Sequence, residues 1–195
     1  STVLVTGLGD GGASYFALDV TGASSFDGNG NGTIGDAADD TALLWEFTDS
    51  DLGLATNESA IARVSGSGTS DPQWGIFFGS GYSAAIPSQQ ATKEAYLYGL
   101  KVHDKTNLWG GANKLKITSV TLVDDAISSP LVVDYGHDNL GDFLYTGNLY
   151  GSMYRVANIG AGETPFSTKL FDLGRSAHEN PIRAKAAFAY AETAG

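Results

Sequence analysis

The stretch ISSPLVVDYGHDNLGDFLYTGNLYGSMYRV, Ile127–Val156, decides the fold. An apolar run, Leu131–Val133, stops at an aspartate, and Phe143–Tyr145 resumes it after a loop rich in Gly, Asp and Asn. Gly147-Asn148 predicts a tight turn, after which Ser152–Val156 returns as a strand. The pattern therefore predicts a β-meander with an oxygen-rich loop between its first two strands.

Weaker copies of this unit lie on both sides of it. Tyr15–Gly22, Tyr96–Thr106 and Ser152–Val156 fill the same place in three units, and a turn and a closing strand follow each. Repeated four-strand units without helical periodicity favour a β-propeller over a sandwich. We predict one all-β segment over residues 1–195, a partial, quinoprotein-like β-propeller of about three four-stranded antiparallel blades. The predicted blades cover residues 2–47, 60–122 and 127–173, and residues 181–190 begin a further one.

Composition excludes several classes of function. The 195 residues carry a formal net charge of −11, which argues against nucleic acid because such proteins need a basic surface. There is no cysteine, so disulfides and thiol chemistry are excluded. No apolar run approaches the roughly 20 residues of a membrane helix, so we expect no membrane insertion. The chain opens in a strand without a leader, and we expect it to be part of a longer exported protein.

An acidic loop between the second and third predicted strands has the spacing of a calcium site. Alternating Asp and Asn side chains with glycines between them bring hard oxygens to one point, as Ca²⁺ prefers. The Glu that usually closes such a loop is replaced by Ala38, so another aspartate has to complete the shell. A flexible surface turn is the alternative. The predicted calcium ligands are Asp27, Asn29, Asn31, Thr33 through its carbonyl, and Asp36.

Six pieces of the chain, in order, resemble the C-terminal propeller of the PilY1 family of type IV pilus assembly and adhesion proteins. The resemblance implies a modified seven-bladed propeller related to quinoprotein propellers, with calcium bound in an Asp/Asn-rich loop. It also implies a place at the pilus tip, outer membrane or bacterial surface or in a secreted form, with pilins, minor pilins and host or abiotic surface ligands as partners. The pieces are GGASYFALDVTG (11–22), LLWEFTDSDLG (43–53), QWGIFFGSGY (73–82), AYLYGLKV (95–102), SSPLVVDYGHDNLGDFLYTGNLYGSMYRV (128–156) and ENPIRAKAAFAY (179–190).

The loop that would correspond to the family's calcium loop departs from its pattern. Gly136 stands where a ligand side chain is usual, and Asn139 stands where the family has glycine. We therefore predict only a weaker, second calcium loop, or a turn whose aspartates cap neighbouring backbone amides. The candidate ligands are Asp134, Asp138, Leu140 through its carbonyl, and Asp142.

Enzymatic alternatives find little support in the residues. Gly7, Gly9 and Gly12 spell a dinucleotide-binding glycine pattern, but a predicted strand follows where that motif needs a helix. No metalloprotease helix motif or nucleophile elbow occurs. A dehydrogenase using pyrroloquinoline quinone and calcium is the alternative suggested by the quinoprotein resemblance, although blade packing accounts for the three tryptophans, Trp45, Trp74 and Trp109.

The sequence thus favours a non-enzymatic, calcium-binding module of a type IV pilus biogenesis and tip adhesin protein. Calcium would neutralise clustered carboxylates and order a loop that presents a binding surface. A quinoprotein dehydrogenase and a purely structural scaffold are the two alternatives.

Overall fold

The computed structural model describes residues 1–21, 42–66, 71–82, 94–117, 125–173 and 182–189. These residues contain eleven β-strands and no α-helix, and in each of three sheets neighbouring strands pair antiparallel in chain order. The first sheet comprises β1 (Val3–Gly7), β2 (Tyr15–Asp19) and β3 (Leu43–Phe47). The second sheet comprises β4 (Ala60–Val64), β5 (Gln73–Gly79), β6 (Tyr96–Lys101) and β7 (Lys114–Lys116). The third comprises β8 (Leu131–Val133), β9 (Phe143–Gly147), β10 (Ser152–Ala157) and β11 (Phe166–Asp172).

The predicted all-β class and the meander order are confirmed, with two differences. The described part of the first sheet has three strands, whereas the prediction gave it four. Residues 181–190 were predicted to begin a further unit, and the part of them that the structure describes, 182–189, forms no strand. A strand exists only through hydrogen bonds to a neighbour, and no described sheet pairs with this segment.

An aromatic cluster joins the first sheet to the second. Tyr15 of β2 stacks on Phe78 of β5 with ring centroids 4.1 Å apart, and Phe78 stacks on Tyr98 of β6 at 5.2 Å. Phe47 of β3 meets the rings of Phe78 and Tyr98 edge to face. Trp45 adds a hydrogen bond from its indole N–H to the carbonyl of Val102, at 2.7 Å. Large buried aromatic surfaces in offset and edge geometries make this interface a strong one.

A second core joins the second sheet to the third. It contains Phe77, Leu97, Leu144, Tyr154 and Val156, all buried. Side chains alternate across a strand, so Phe77 enters this core while its neighbours Ile76 and Phe78 enter the first one. The second sheet is therefore apolar on both faces, which is why the sequence of β5 is an almost continuous apolar run.

The three tryptophans do not share one environment. Trp45 and Trp109 are buried, and the Trp109 indole N–H donates to the carbonyl of Ile159 at 3.2 Å. Trp74 on β5 is 50% exposed, so packing between the described blades does not account for it, contrary to the expectation from sequence. Part of the surface of β5 that faces the first sheet is left uncovered.

Candidate functional site

Asp142 closes the loop between β8 and β9 onto its own start. One carboxylate oxygen, Oδ2, accepts hydrogen bonds from the backbone N–H groups of Tyr135 at 2.7 Å and Gly136 at 2.8 Å. The Asp142 N–H donates in turn to the carbonyl of Val133 at the end of β8. The side chain predicted as a weak calcium ligand thus binds backbone amides of the loop.

The other two aspartates of the loop act in the same way. Asp134 accepts from the N–H groups of Asn139 at 2.8 Å and Asp138 at 3.3 Å, and Asp138 accepts from Leu140 at 3.0 Å. His137 and Asn139 lie in the left-handed region, with φ of 56° and 65°, so the chain winds tightly here. The structure has the amide-capping geometry that was the alternative to a metal site.

The three aspartates of this loop form no carboxylate cluster of the kind that holds a metal ion. Among the residues that the structure describes, no group of three or more His, Cys, Asp and Glu side chains could hold a metal ion together. Calcium binding by Asp134, Asp138, Leu140 and Asp142 would need the capping bonds to rearrange or backbone and amide oxygens to join, and it stays a prediction. The first predicted loop, with Asp27, Asn29, Asn31, Thr33 and Asp36, lies outside the described residues, and its calcium site also stays a prediction.

The dinucleotide alternative is excluded by the local fold. The segment after Gly12 leads directly into β2, so no helix N-terminus is present to bind a pyrophosphate. Burial raises the pKa of the Tyr15 and Tyr98 hydroxyls far above the ordinary value. A phenol that stays protonated at neutral pH acts here as a hydrogen-bond donor, to the carbonyl of Asn57 and the carboxylate of Asp49 respectively.

Three glycines mark the same place in the three sheets. The strands β1, β5 and β9 each end in a glycine, which is Gly7, Gly79 and Gly147 respectively. A later segment of the chain passes directly over each of these glycines. A Cβ atom at these glycines would overlap Ala55, Ile127 and Ile182, respectively. The sequence does carry the signal, T-G-L-G, F-G-S-G and T-G-N at similar spacing, but the close approach that requires glycine is visible only in the fold.

A buried carboxylate organises the turn after the third of these glycines. Asp125 is 4% exposed and accepts from the backbone N–H of Leu149 at 3.2 Å and from the amide of Asn148 at 2.9 Å. Asn148 Oδ1 accepts from the N–H of Ser152 at 2.8 Å. The turn itself spans Asn148–Gly151, with Gly151 at φ 78°, rather than Gly147-Asn148 as predicted. In the sequence, Asp125 is the second of two adjacent aspartates, and nothing in that pattern predicts that it would accept hydrogen bonds from this turn.

Comparisons with known proteins agree with this architecture. The family model described as the PilY1 beta-propeller domain matches residues 1–176. The chain is 33% identical over 162 residues to the type IV pilus biogenesis factor PilY1 of Pseudomonas aeruginosa strain UCBPP-PA14, covering 82% of this chain and 11% of that protein. It is 27% identical over 168 residues to a PilY1 homolog of Xylella fastidiosa strain Temecula1, covering 79% and 9%. The chain thus spans about a tenth of the length of these relatives.

A solved structure supports the fold. The crystal structure of the Pseudomonas aeruginosa PilY1 C-terminal domain matches with a TM-score of 0.68 at 24% identity, covering 94% of this chain and 36% of that one. In the described residues, no helix is long and apolar enough to cross a bilayer. The match over residues 1–176, the three antiparallel sheets and their chain order lead to one conclusion: this chain belongs to the PilY1 β-propeller domain family.

Proposed function

We propose that this chain is a non-enzymatic module of a type IV pilus biogenesis factor that acts in pilus assembly and surface attachment. The observation that carries the proposal is the family match over residues 1–176, together with relatives named as type IV pilus biogenesis factors. Such a factor works at the bacterial surface or on the pilus, where pilins, minor pilins and surface ligands are its partners. The net charge of −11 suits a solvated surface and disfavours nucleic acid.

A chimera tests the pilus role. The matching segment of a PilY1 relative is replaced by residues 1–176, and surface pili are counted in a strain that lacks its own copy. We expect piliation to be restored. A second chimera carries Gly79→Asp, which forces a charged side chain against the carbonyls of Ile127 and Ser128 and should abolish piliation. A well-folded first chimera that gives no pili would overturn the proposal.

Calcium control of this module is the second part of the proposal. The first loop supports it through the alternation of Asp27, Asn29 and Asn31, with Thr33 and Asp36 as further ligands. Ca²⁺ would neutralise the clustered carboxylates and select the ordered loop, stabilising the fold by an amount set by the calcium concentration relative to Kd. The loop 134–142 is the weaker second candidate.

Calorimetric titration of chelator-stripped protein with calcium, with magnesium as the control ion, tests this part. We expect saturable binding that is lost in the double variant Asp27→Ala, Asn31→Ala and kept in Asp138→Ala. Loss in Asp138→Ala alone would assign the ion to the second loop. Absence of binding at millimolar calcium would refute calcium control and leave the pilus role untouched.

The second loop has its own discriminating variant. If Asp142 acts by capping Tyr135 and Gly136, Asp142→Ala should destabilise the protein by about 1–2 kcal/mol equally in chelator and in calcium. If Asp142 binds calcium, the loss should appear mainly when calcium is present. Urea denaturation in the two buffers separates these outcomes.

A further inference from the structure

A cavity of about 150 Å³ lies between the three segments of the chain that pass over the glycines at the ends of β1, β5 and β9. Its walls come from residues 56–57, 126–129 and 182–183 of these segments, together with Tyr82 and Leu149. The volume is well below the roughly 300 Å³ at which pockets begin to hold drug-sized ligands, so the cavity has room for one small molecule or one sugar unit.

Hydrogen bonds between neighbouring segments fix the walls of this cavity. The side-chain amide of Asn57 donates to the carbonyl of Ile127 at 2.7 Å. The Glu58 N–H donates to the hydroxyl oxygen of Ser129 at 2.9 Å. The N–H of Ile182 donates to the turn after β9 at 3.0 Å. The cavity is therefore pre-formed, and a ligand does not have to order the chain around it.

The residues around this cavity bring no negative charge to it. The chain has 22 acidic and 11 basic residues, yet none of the ten described residues that line the cavity is acidic. The carboxylate of Glu58, next to Asn57 in the chain, is 74% exposed and lies 3.5 Å from the ammonium of Lys185. A cavity without carboxylates in a protein of net charge −11 favours an anionic ligand over a cation.

Arg183 is the one basic residue among the described residues that line the cavity. It is exposed, and it makes no hydrogen bond or ion pair with the part of the chain that the structure describes. A guanidinium offers five N–H donors in a planar fork, which matches the two oxygens of a carboxylate. The donors of Arg183 are therefore available for a carboxylate ligand.

The other polar groups of the cavity suit a molecule that carries hydroxyl groups. Ser129 is 7% exposed, and its hydroxyl oxygen accepts the Glu58 N–H, which leaves the hydroxyl proton to donate. The amide of Asn57 donates through its nitrogen, so its oxygen can accept. Tyr82 is 41% exposed and adds an aromatic wall. A few polar groups beside an aromatic ring match a sugar, because a sugar ring carries hydroxyl groups around an apolar face.

We propose that this cavity binds one acidic sugar unit. Arg183 holds the carboxylate of the sugar, and Ser129 and Asn57 hold its hydroxyl groups. The sugar ring lies against Tyr82. The site gives the module a ligand class, a uronic acid, beyond its role in pilus biogenesis. A free sugar acid and the end of a polysaccharide chain carry this same chemistry, and both can reach the cavity because Arg183 and Tyr82 are exposed.

Titration of the isotope-labelled chain of 195 residues with glucuronate, followed by amide chemical shifts in NMR spectra, tests the site. We expect saturable shifts at Ser129, Leu149 and Arg183, with a Kd in the millimolar range. Glucose has the same ring without the carboxylate, and acetate has the carboxylate without the ring, so each should bind at least about tenfold more weakly. A glucuronate trimer separates the two sources. A Kd equal to or below that of the monomer identifies a chain end as a ligand, and a higher Kd identifies the free acid.

A matched pair of variants tests the role of the guanidinium. Arg183→Gln should weaken glucuronate binding at least about tenfold and leave the circular dichroism spectrum and the melting temperature unchanged, because Arg183 is exposed. Lys185→Gln removes the next cation along the same segment and should leave the Kd within about twofold.

The proposal would be overturned by glucose or acetate binding as tightly as glucuronate, by an unchanged Kd in Arg183→Gln, or by glucuronate giving no saturable shift. The pilus role does not depend on these results, since the count of surface pili in the chimera does not involve the sugar.

Discussion

Lys114 Nζ lies 2.7 Å from Asp49 Oδ1 and so ties the outermost strand of the second sheet to the segment that follows β3 of the first. The same ammonium lies 2.7 Å from Asp51 Oδ2 and 5.1 Å from the ring centre of Tyr96. Tyr98, whose ring belongs to the aromatic cluster, donates its hydroxyl to Asp49 at 3.0 Å. One partly buried cation thus caps the interface between two sheets.

Lys114→Met should lower the free energy of unfolding by about 1–2 kcal/mol, because two partly buried carboxylates lose their counter-ion. The methylene stem is kept, so the loss reports on charge rather than on packing. Lys185→Met is the matched control, since its partner Glu58 is 74% exposed and 3.5 Å away. Urea denaturation measures both, and equal losses would contradict the special role of Lys114.

The Asp49 carboxylate makes stability depend on acid pH. Burial of Asp49 opposes its ionisation, but hydrogen bonds from Lys114, from the Asp51 N–H and from Tyr98 outweigh burial and hold its pKa below the ordinary value. The pKa of Asp49 is therefore lower in the folded protein than in the unfolded chain. Its contribution to stability is complete above the ordinary pKa of about 3.9 and is lost as the pH falls through the lower folded-state pKa.

We therefore expect the melting temperature to fall as the pH drops below about 4, and to fall less steeply in Lys114→Met, where Asp49 keeps less of its pKa shift. Thermal melts between neutral and acid pH compare the two proteins. Parallel curves would show that other carboxylates control the acid transition.

The high pKa values of Tyr15 and Tyr98 give a matching prediction at alkaline pH. Burial is the main cause of both shifts, and Asp49 adds to that of Tyr98. The pKa of each hydroxyl is therefore higher in the folded protein than in the unfolded chain. The contribution of the two neutral tyrosines to stability is complete below the ordinary pKa of about 10 and is lost as the pH rises above it. Absorbance at the tyrosinate band should show two tyrosines that titrate only together with unfolding, as followed by circular dichroism. Titration of all tyrosines before unfolding would contradict this.

Gly79→Ala should destabilise the protein by about 2 kcal/mol or more, since its new methyl group overlaps the Ile127 carbonyl and lies 2.8 Å from that of Ser128. Both obstacles are backbone, so no rotamer change relieves the overlap. Gly136→Ala is the control, because its methyl group would meet its nearest neighbour at 3.6 Å. Thermal denaturation should show a clear loss for the first variant only.

Asp125→Ala should cost about 2–3 kcal/mol, because it leaves the buried Leu149 N–H and the Asn148 amide without their acceptor. Asp138→Ala removes one exposed capping bond and should cost less than about 1 kcal/mol. Denaturation in chelator keeps any metal effect out of the comparison. Similar losses of unfolding free energy in the two variants would show that the burial of Asp125 does not increase its contribution to stability.

Much of the fold could be predicted from short-range patterns. Alternation, glycine punctuation and the recurrence of Tyr15–Gly22, Tyr96–Thr106 and Ser152–Val156 predicted the strands, their antiparallel order and the three units. These features depend on residues close together in sequence, where side-chain period and turn preference act directly. The family resemblance rested on the same local pieces.

The roles of individual side chains were decided by contacts between distant residues. The sequence placed aspartates in the loop 134–142, but only the folded backbone shows Asp142 turned to the amides of Tyr135 and Gly136. A carboxylate can cap amides or bind a cation with the same spacing, and the choice depends on where the backbone N–H groups point.

By itself the sequence determined the all-β class, the order of the strands and the acidic, cysteine-free surface, because each follows from local pattern or composition. Only the tertiary structure decided that Gly79 lies under Ile127, that Lys114 meets Asp49 and that Trp74 stays half exposed. These relationships join residues that are far apart along the chain, and their geometry exists only once the sheets stack.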